Sequence, residues 1–173
     1  GIQKDTMRNF SFDLRQYKTS YDDWLAAFSE SIRKRTNNLR EKVYIGLSSG
    51  YDSAVIACEL TKQLIPFKSY SIKGKEDENI ILQRHRLLRE RSQEVEMIYL
   101  TSEQYTNSRK GLKQRAEEFQ YRIRRSDKIT QNEMMTDDKG AVGLFYISEL
   151  ARREGHKIYL SGQGADEIFS DYG

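Results

Sequence analysis

Cysteine, proline and tryptophan each occur once in the 173-residue sequence, and histidine twice. The single cysteine, Cys58, excludes an internal disulfide and suits a reducing compartment. It falls in an expected helix, where a small core residue is the expected role. His85 and His156 have no cysteine or histidine partner at ligand spacing, which argues against a zinc centre. No apolar run approaches the ~20 residues that a spanning helix needs, and the N-terminus lacks the apolar stretch of a signal peptide. A cytoplasmic location without a membrane partner is therefore expected. There is no internal repeat or low-complexity segment, so nothing reads as a linker.

A dominant sign of charge is also missing. Twenty-nine lysines and arginines oppose 26 aspartates and glutamates, a net charge of +3. Arg84, Arg86, Arg89 and Arg91 stud one expected helix; Arg109, Lys110, Lys113, Arg115, Arg122, Arg124, Arg125 and Lys128 stud another region. Acids such as Glu90, Glu117 and Glu118 are interspersed, which is the pattern of solvated helix faces. Only Phe119 and Tyr121 lie among these charges as aromatics, so a nucleic-acid partner such as RNA is the weaker reading.

What is present is the pattern of one α/β domain. Apolar residues make up 37% and charged residues 32%, giving a modest core under a heavily charged surface. Residues 1–18 are polar with scattered aromatics and read as an arm or boundary remnant; 19–173 read as the domain. Asp22 and Asp23 open a helix whose buried stripe is expected at Trp24, Leu25, Phe28 and Ile32. Strands are expected over 43–47, 67–72, 95–100 and 157–160. Helices are expected over 52–63, with Val55, Ile56 and Leu60 facing in, and over 79–92, 102–124 and 141–153. Residues 126–140 read as a polar connection with a solvated turn at Asp137, Asp138, Lys139 and Gly140. The alternation predicts a parallel sheet with right-handed crossovers and helices on both faces.

Two short segments carry the chemistry. One is Leu47, Ser48, Ser49, Gly50, Tyr51, Asp52, Ser53; the other runs from Leu160 through Ser161, Gly162, Gln163, Gly164, Ala165, Asp166 and Glu167 to Phe169. Each follows an apolar strand and supplies hydroxyls, exposed backbone amides and an aspartate where a helix should begin. A strand, a Gly/Ser turn and a helix N-terminus gather N–H donors and a positive dipole end around an anion. Asp52 and Asp166 would repel a bare phosphate, but a divalent cation between carboxylate and phosphate reverses that sign, and Mg²⁺ suits the role. The residues therefore ask for a nucleotide with Mg²⁺. The lysine of a P-loop is absent, and Glu167 stands where a dinucleotide fingerprint needs its third glycine. Both loops lie at carboxyl ends of strands, where open α/β sheets bind ligands.

The first segment resembles the Ser-Gly-Gly-x-Asp-Ser loop of PP-loop ATP pyrophosphatases. The second resembles the Ser-Gly-x-Gly-Ala-Asp-Glu-x-Phe stretch of the asparagine synthetase synthase domain, and the similarity runs from about Tyr21 to the last residue. The resemblance implies a Rossmann-like fold, ATP and Mg²⁺ as cofactors, and a carboxylate and an amine as substrates. The implied reaction is attack of the carboxylate on the α-phosphorus of ATP. This gives an acyl-adenylate and pyrophosphate, and the amine then displaces AMP to form an amide. It implies that Ser48, Gly50, Asp52 and Ser53 cradle pyrophosphate in a loop completed by Ser49. It further implies that Asp52 and Asp166 hold the metal and that Leu47 and Ile72 border adenine, Ile72 through its backbone. Ser161 and Gly162 would approach the nucleoside.

Two positions depart from the family pattern. Ser49 stands where the first loop glycine belongs, and Gln163 stands where asparagine-forming members carry the glutamate proposed as base for the amine. Glutamine cannot accept that proton. The sequence carries no glutaminase half and ends soon after the second segment, so it reads as a truncated core that would bind nucleotide without full turnover. Two other readings stay open: a PP-loop enzyme that modifies RNA by adenylation, and a catalytically silent nucleotide-binding module. Tyr51 is expected to pack or to act as a lid, and Glu167 to cap or orient its loop.

Overall fold

The computed structural model describes residues 18–74, 76–117, 119–125 and 128–163, with the backbone alone for 121–133. Four strands, β1 (Lys42–Gly46), β2 (Phe67–Ile72), β3 (Glu94–Ile98) and β6 (His156–Leu160), form one parallel sheet in the order β3-β2-β1-β6. The chain builds outward from β1 to β3, then returns to the far side of β1 to lay down β6. Strand order thus reverses between β1 and β6, and the crevice of an open α/β sheet lies at that switch point.

Side chains alternate across each strand, and the two faces receive different helices. Val43, Ile45, Phe67 and Leu160 face α1 (Asp22–Thr36), α2 (Tyr51–Lys62) and α3 (Glu78–Glu90), meeting Ile32, Ile56, Leu60 and Leu88. Tyr44, Tyr70 and Tyr159 face the other way, toward Ile147, Leu150 and Ala151 of α5 (Lys139–Arg153). The ring of Tyr44 stacks edge-on to Tyr70 at 6.1 Å between centroids and tilts against Tyr159 at 5.1 Å. The Tyr70 hydroxyl donates to the Glu154 carboxylate, and burial, with that carboxylate beside it, pushes its phenol up. The α/β architecture with helices on both faces is therefore the one expected.

Helix α4 (Ser102–Arg115) lies over α5, and its Gly111 is the reason they approach closely. A Cβ there would meet the Phe145 ring at 2.8 Å. Its start is a capping box, with the Thr101 hydroxyl accepting from the Gln104 N–H and the Gln104 side chain accepting from the Thr101 N–H. Past Arg115 the structure departs from the expected helix over 102–124. Ala116 is extended, and Gln120–Arg125 (β4) pairs antiparallel with Lys128–Met134 (β5). The expected polar connection over 126–140 holds instead a strand, a short 3₁₀ turn at Met135–Asp137 and the cap of α5. Cross-strand pairs such as Tyr121 with Glu133 and Ile123 with Gln131 leave no apolar face long enough to reveal a strand period. Asp138 is that cap rather than part of a solvated turn, accepting from the N–H groups of Gly140 and Ala141 at 3.1 and 3.0 Å. Asp137 pairs with Arg109. Gly155, at φ 85°, takes the left-handed conformation that turns α5 into β6.

Four expected core residues face outward. Trp24 and Leu25 are 50% and 63% exposed, because α1 is held to α2 only from Phe28 onward. That joint is polar as well as apolar: Ser29 donates to the buried Glu59 carboxylate at 2.5 Å, and the Gln63 amide donates to Glu59 at 2.7 Å and to the Ser29 carbonyl at 2.9 Å. On α2 the inward face is Ile56, Ala57 and Leu60; Val55 is 47% exposed, and Cys58, about 200° around the helix from Ile56, is also exposed. Among the described residues no helix is long and apolar enough to cross a membrane.

Both histidines are buried. Burial and then the Arg89 charge hold His85 below its usual 6.5, and burial dominates a similar lowering at His156, whose Nδ1 has no partner among the described residues. The folded chain thus prefers neutral imidazoles, while the unfolded chain takes up protons as pH falls through about 6.5. Stability should therefore drop as pH is lowered from 7.5 toward 5.5. Urea-denaturation midpoints across that range would read the drop, and His156→Gln should remove part of the slope.

Candidate active site

The loop after β1 is held by bonds that run from the far end of β2 and from α3. The Leu47 N–H donates to the Tyr70 carbonyl at 2.8 Å, and the Leu47 carbonyl accepts from the Ser71 hydroxyl at 2.7 Å. Since that hydroxyl has spent its one proton, its 2.9 Å contact with His85 Nε2 makes the imidazole the donor. Arg84 Nη1 donates to the Ser48 carbonyl at 2.5 Å and to the Gly50 carbonyl at 2.7 Å. A trans peptide sends its N–H opposite to its C=O. Carbonyls held by Ser71 and Arg84 therefore turn the following amides, those of Ser48, Ser49 and Tyr51, away from those two side chains.

On the amide side the loop binds itself and one carboxylate. The Ser48 N–H donates to Ser53 Oγ at 3.0 Å, the two serine hydroxyls lie 2.9 Å apart, and the Gly50 N–H donates to Ser48 Oγ at 3.1 Å. The Ser49 N–H donates to Glu76 Oε2 at 2.7 Å, and the Ser49 hydroxyl donates to the same oxygen. An anion thus already sits on an amide of the loop. The side chain of Ser49, at the position of the family glycine, points to Glu76 and Asp77 rather than crowding the loop.

The second segment meets the first at Gly162. A Cβ on Gly162 would lie 2.6 Å from the Asp52 Cβ and 3.1 Å from its carbonyl carbon, so only glycine lets β6 bring its loop this close to the first turn of α2. Ser161 Oγ accepts the Gln163 N–H at 3.1 Å. Tyr159, two residues earlier on β6, is pushed up by burial while a hydrogen bond with Ser161 acts the other way. The structure thus brings the loop of Ser48, Ser49, Gly50, Asp52 and Ser53 against that of Ser161 and Gly162, with Gln163 exposed beside them. Asp166 and Glu167 lie outside the described residues.

The remaining candidates sit lower. Leu47 is buried in the core, with both backbone groups engaged. Ile72 closes β2 under α5, where a Cβ on Gly143 would touch it at 3.0 Å. Tyr51 is 85% exposed and makes no core contact. Sequence reasoning passed over Arg84 and Glu76. It grouped Arg84 with the solvated arginines, yet 81, 84, 85 and 88 share one helical face. Ile81, His85 and Leu88 on that face are buried, so an arginine there was a signal. The neighbouring arginines do behave as solvated residues: Arg86 pairs with Glu90, and Arg115 with Glu149. Among the described residues no group of three His, Cys, Asp or Glu side chains could hold a metal ion unaided.

Comparison with known proteins agrees with this architecture. A family model described as "Asparagine synthase" matches residues 23–173. A curated Methanocaldococcus jannaschii protein named "Putative asparagine synthetase (glutamine-hydrolyzing) 1" is 28% identical over 158 residues, which cover 91% of this chain and 26% of that protein. The chain thus spans about a quarter of the length of that relative. Among solved structures, the NMN synthetase of Francisella tularensis superposes with a TM-score of 0.57 at 17% identity, over 90% of this chain and 60% of that one. An NH3-dependent NAD synthetase of Campylobacter jejuni, in complex with nitrate, gives 0.52 at 15% identity, over 90% and 62%. These two share the fold.

The close approach at Gly162 predicts that Gly162→Val must push the two loops apart. Stability should fall by about 1–3 kcal/mol, and ligand binding at the crevice should fall further than in a destabilised variant such as Leu60→Ala. Thermal melts and nucleotide titrations on both variants separate the two effects.

Proposed function

Because the chain belongs to the asparagine synthase family, we propose that it carries the ATP-binding, AMP-forming core of an amide ligase. The observation that carries this reading is the contact of Gly162 with Asp52. It joins two anion-type loops at the one place where strand order reverses. In this reading the loop from Ser48 to Ser53 takes the β- and γ-phosphates through its amides and hydroxyls. Ser161 and Gly162, with the carboxyl ends of β1 and β2 beneath, border the nucleoside.

Asp52, exposed at the first turn of α2, is the described residue that would hold Mg²⁺, with Asp166 as the second carboxylate. One or two carboxylates with phosphate oxygens and water form the donor set that Mg²⁺ takes, so the residues fit the ion without a larger protein cluster. When bound, the metal would neutralise charge on the phosphates that leave. The chain's own part is to orient the triphosphate with rigid donors so that a substrate carboxylate reaches the α-phosphorus and pyrophosphate departs on preplaced hydrogen bonds. The second half-reaction, amide formation from the adenylate, needs a base for the amine. Gln163 cannot serve as that base, so the proton must go to water, a second amine or another group.

The reading is tested by titration calorimetry of the chain with ATP, with and without a Mg²⁺ chelator. ATP should bind more tightly with the metal present, and Asp52→Asn should weaken Mg·ATP binding by roughly 10–100-fold while its melting temperature stays near the parent's. Equal affinity with and without Mg²⁺, or unchanged affinity in Asp52→Asn, would remove Asp52 from the metal site.

A further inference from the structure

The loop between β1 and α2 is gripped from two opposite sides by side chains of charge opposite to each other. On one side Arg84 holds the Ser48 and Gly50 carbonyls. On the other Glu76 takes the N–H and hydroxyl of Ser49 through a single oxygen. Resting on the nucleotide reading above, we propose that these two residues set the loop's affinity for phosphate in opposite directions. Arg84 is a positioning residue, and Glu76 is an internal anion that an incoming phosphate must displace.

The case for Arg84 is one of peptide geometry. Its guanidinium neutralises two carbonyl dipoles that would otherwise face an anion, and it fixes the plane whose other end is the Ser49 N–H. Arg84 never touches the phosphate; without it, the Ser48–Ser49 and Gly50–Tyr51 peptides are free to turn their oxygens toward the ligand. The buried His85 and Leu88 below it leave the side chain little choice of direction. Ser71 and His85 hold the preceding carbonyl of Leu47 in the same sense, so three carbonyls of the loop point to one side.

The case for Glu76 is that a carboxylate on a loop amide does what a phosphate oxygen would do there. It reaches Ser49 from the connection between β2 and α3, where Asp77 caps α3 by accepting from the N–H groups of Asn79 and Ile80. The hydroxyl of Ser49 is the second anchor, and a glycine at that position could not supply it. The serine and the glutamate therefore form one device, in which an oxygen of this chain holds the amide that an oxygen of the nucleotide would use. Binding must then break those bonds and bring a second anion up to the glutamate.

Opposite signs make the test decisive, since a merely structural role for both residues would weaken binding in both variants. In the 173-residue chain, affinity for Mg·pyrophosphate and for Mg·ATP is measured by calorimetry for the parent, Arg84→Met, Arg84→Lys, Glu76→Gln and Glu78→Gln, with melts on the same samples. Arg84→Met should lose on the order of tenfold or more in affinity for both probes, and Arg84→Lys should recover part of that loss. Glu76→Gln should gain roughly three- to tenfold. Glu78→Gln removes the same charge two residues along, where Glu78 pairs with Lys73, and should gain less. Weaker binding in Glu76→Gln, an equal gain in Glu78→Gln, or unchanged affinity in a folded Arg84→Met would each overturn the proposal while leaving the nucleotide reading intact. A parent chain that binds neither probe would overturn both.

Discussion

The contact between Gly162 and Asp52 is the constraint on which the site depends. A hydrogen atom in place of a side chain lets the end of β6 lie against the first turn of α2, with less than a normal van der Waals gap left for any larger group. The sheet order β3-β2-β1-β6 makes that approach possible by placing β6 beside β1 rather than beside β3. Chain segments more than a hundred residues apart thereby share one crevice. Their loops need no contribution from the sheet faces, which are filled by tyrosines on one side and by aliphatic residues with Phe67 on the other.

The same sheet also supplies the stiffness that an anion loop needs. Backbone groups that must meet a ligand cannot also be satisfied by regular structure, so they need an external hold. Here the hold comes from β2 and α3. Ser71, itself held by His85, takes the carbonyl of Leu47, Arg84 takes those of Ser48 and Gly50, and the amides of Ser48 and Ser49 turn to Ser53 Oγ and Glu76. His85 serves both purposes, since its ring fills the core beneath α3 and its Nε2 donates to Ser71. Charge, hydrogen bonding and burial on α3 are thus arranged around a loop that belongs to another element.

The departures from the family pattern gain a physical meaning in this setting. Ser49 does not crowd the loop, because its side chain turns toward the β2–α3 connection and meets Glu76. Gln163 sits exposed at the rim, where its amide can donate and accept but cannot hold a proton. On the proposed function, the first change would alter how the loop binds an anion and the second what could follow adenylation.

The parallel sheet, its four strands and the two loops were legible in the chain, because strands and Gly/Ser turns are written in residues adjacent along it. The caps of α3, α4 and α5 at Asp77, Thr101 and Asp138 were not among the expectations, since Asp138 reads in the sequence as part of a solvated turn. What only the tertiary structure decided was which of several similar residues met a partner. Helical spacing sets Arg84 on the face of Ile81, His85 and Leu88, but only the fold brings that face to the Ser48 and Gly50 carbonyls, while Arg86 pairs with Glu90. Nothing local exposes Trp24 and Leu25; they are exposed because α1 meets α2 only from Phe28 onward. The β4–β5 hairpin was missed because its pairs set an apolar residue opposite a polar one, as Ile123 opposite Gln131 and Ile129 opposite Arg124, which leaves no sustained period in the sequence. A sequence states the residues of a contact separately, and the fold alone brings Gly162 to Asp52, or Glu76 to Ser49, across the distance between them.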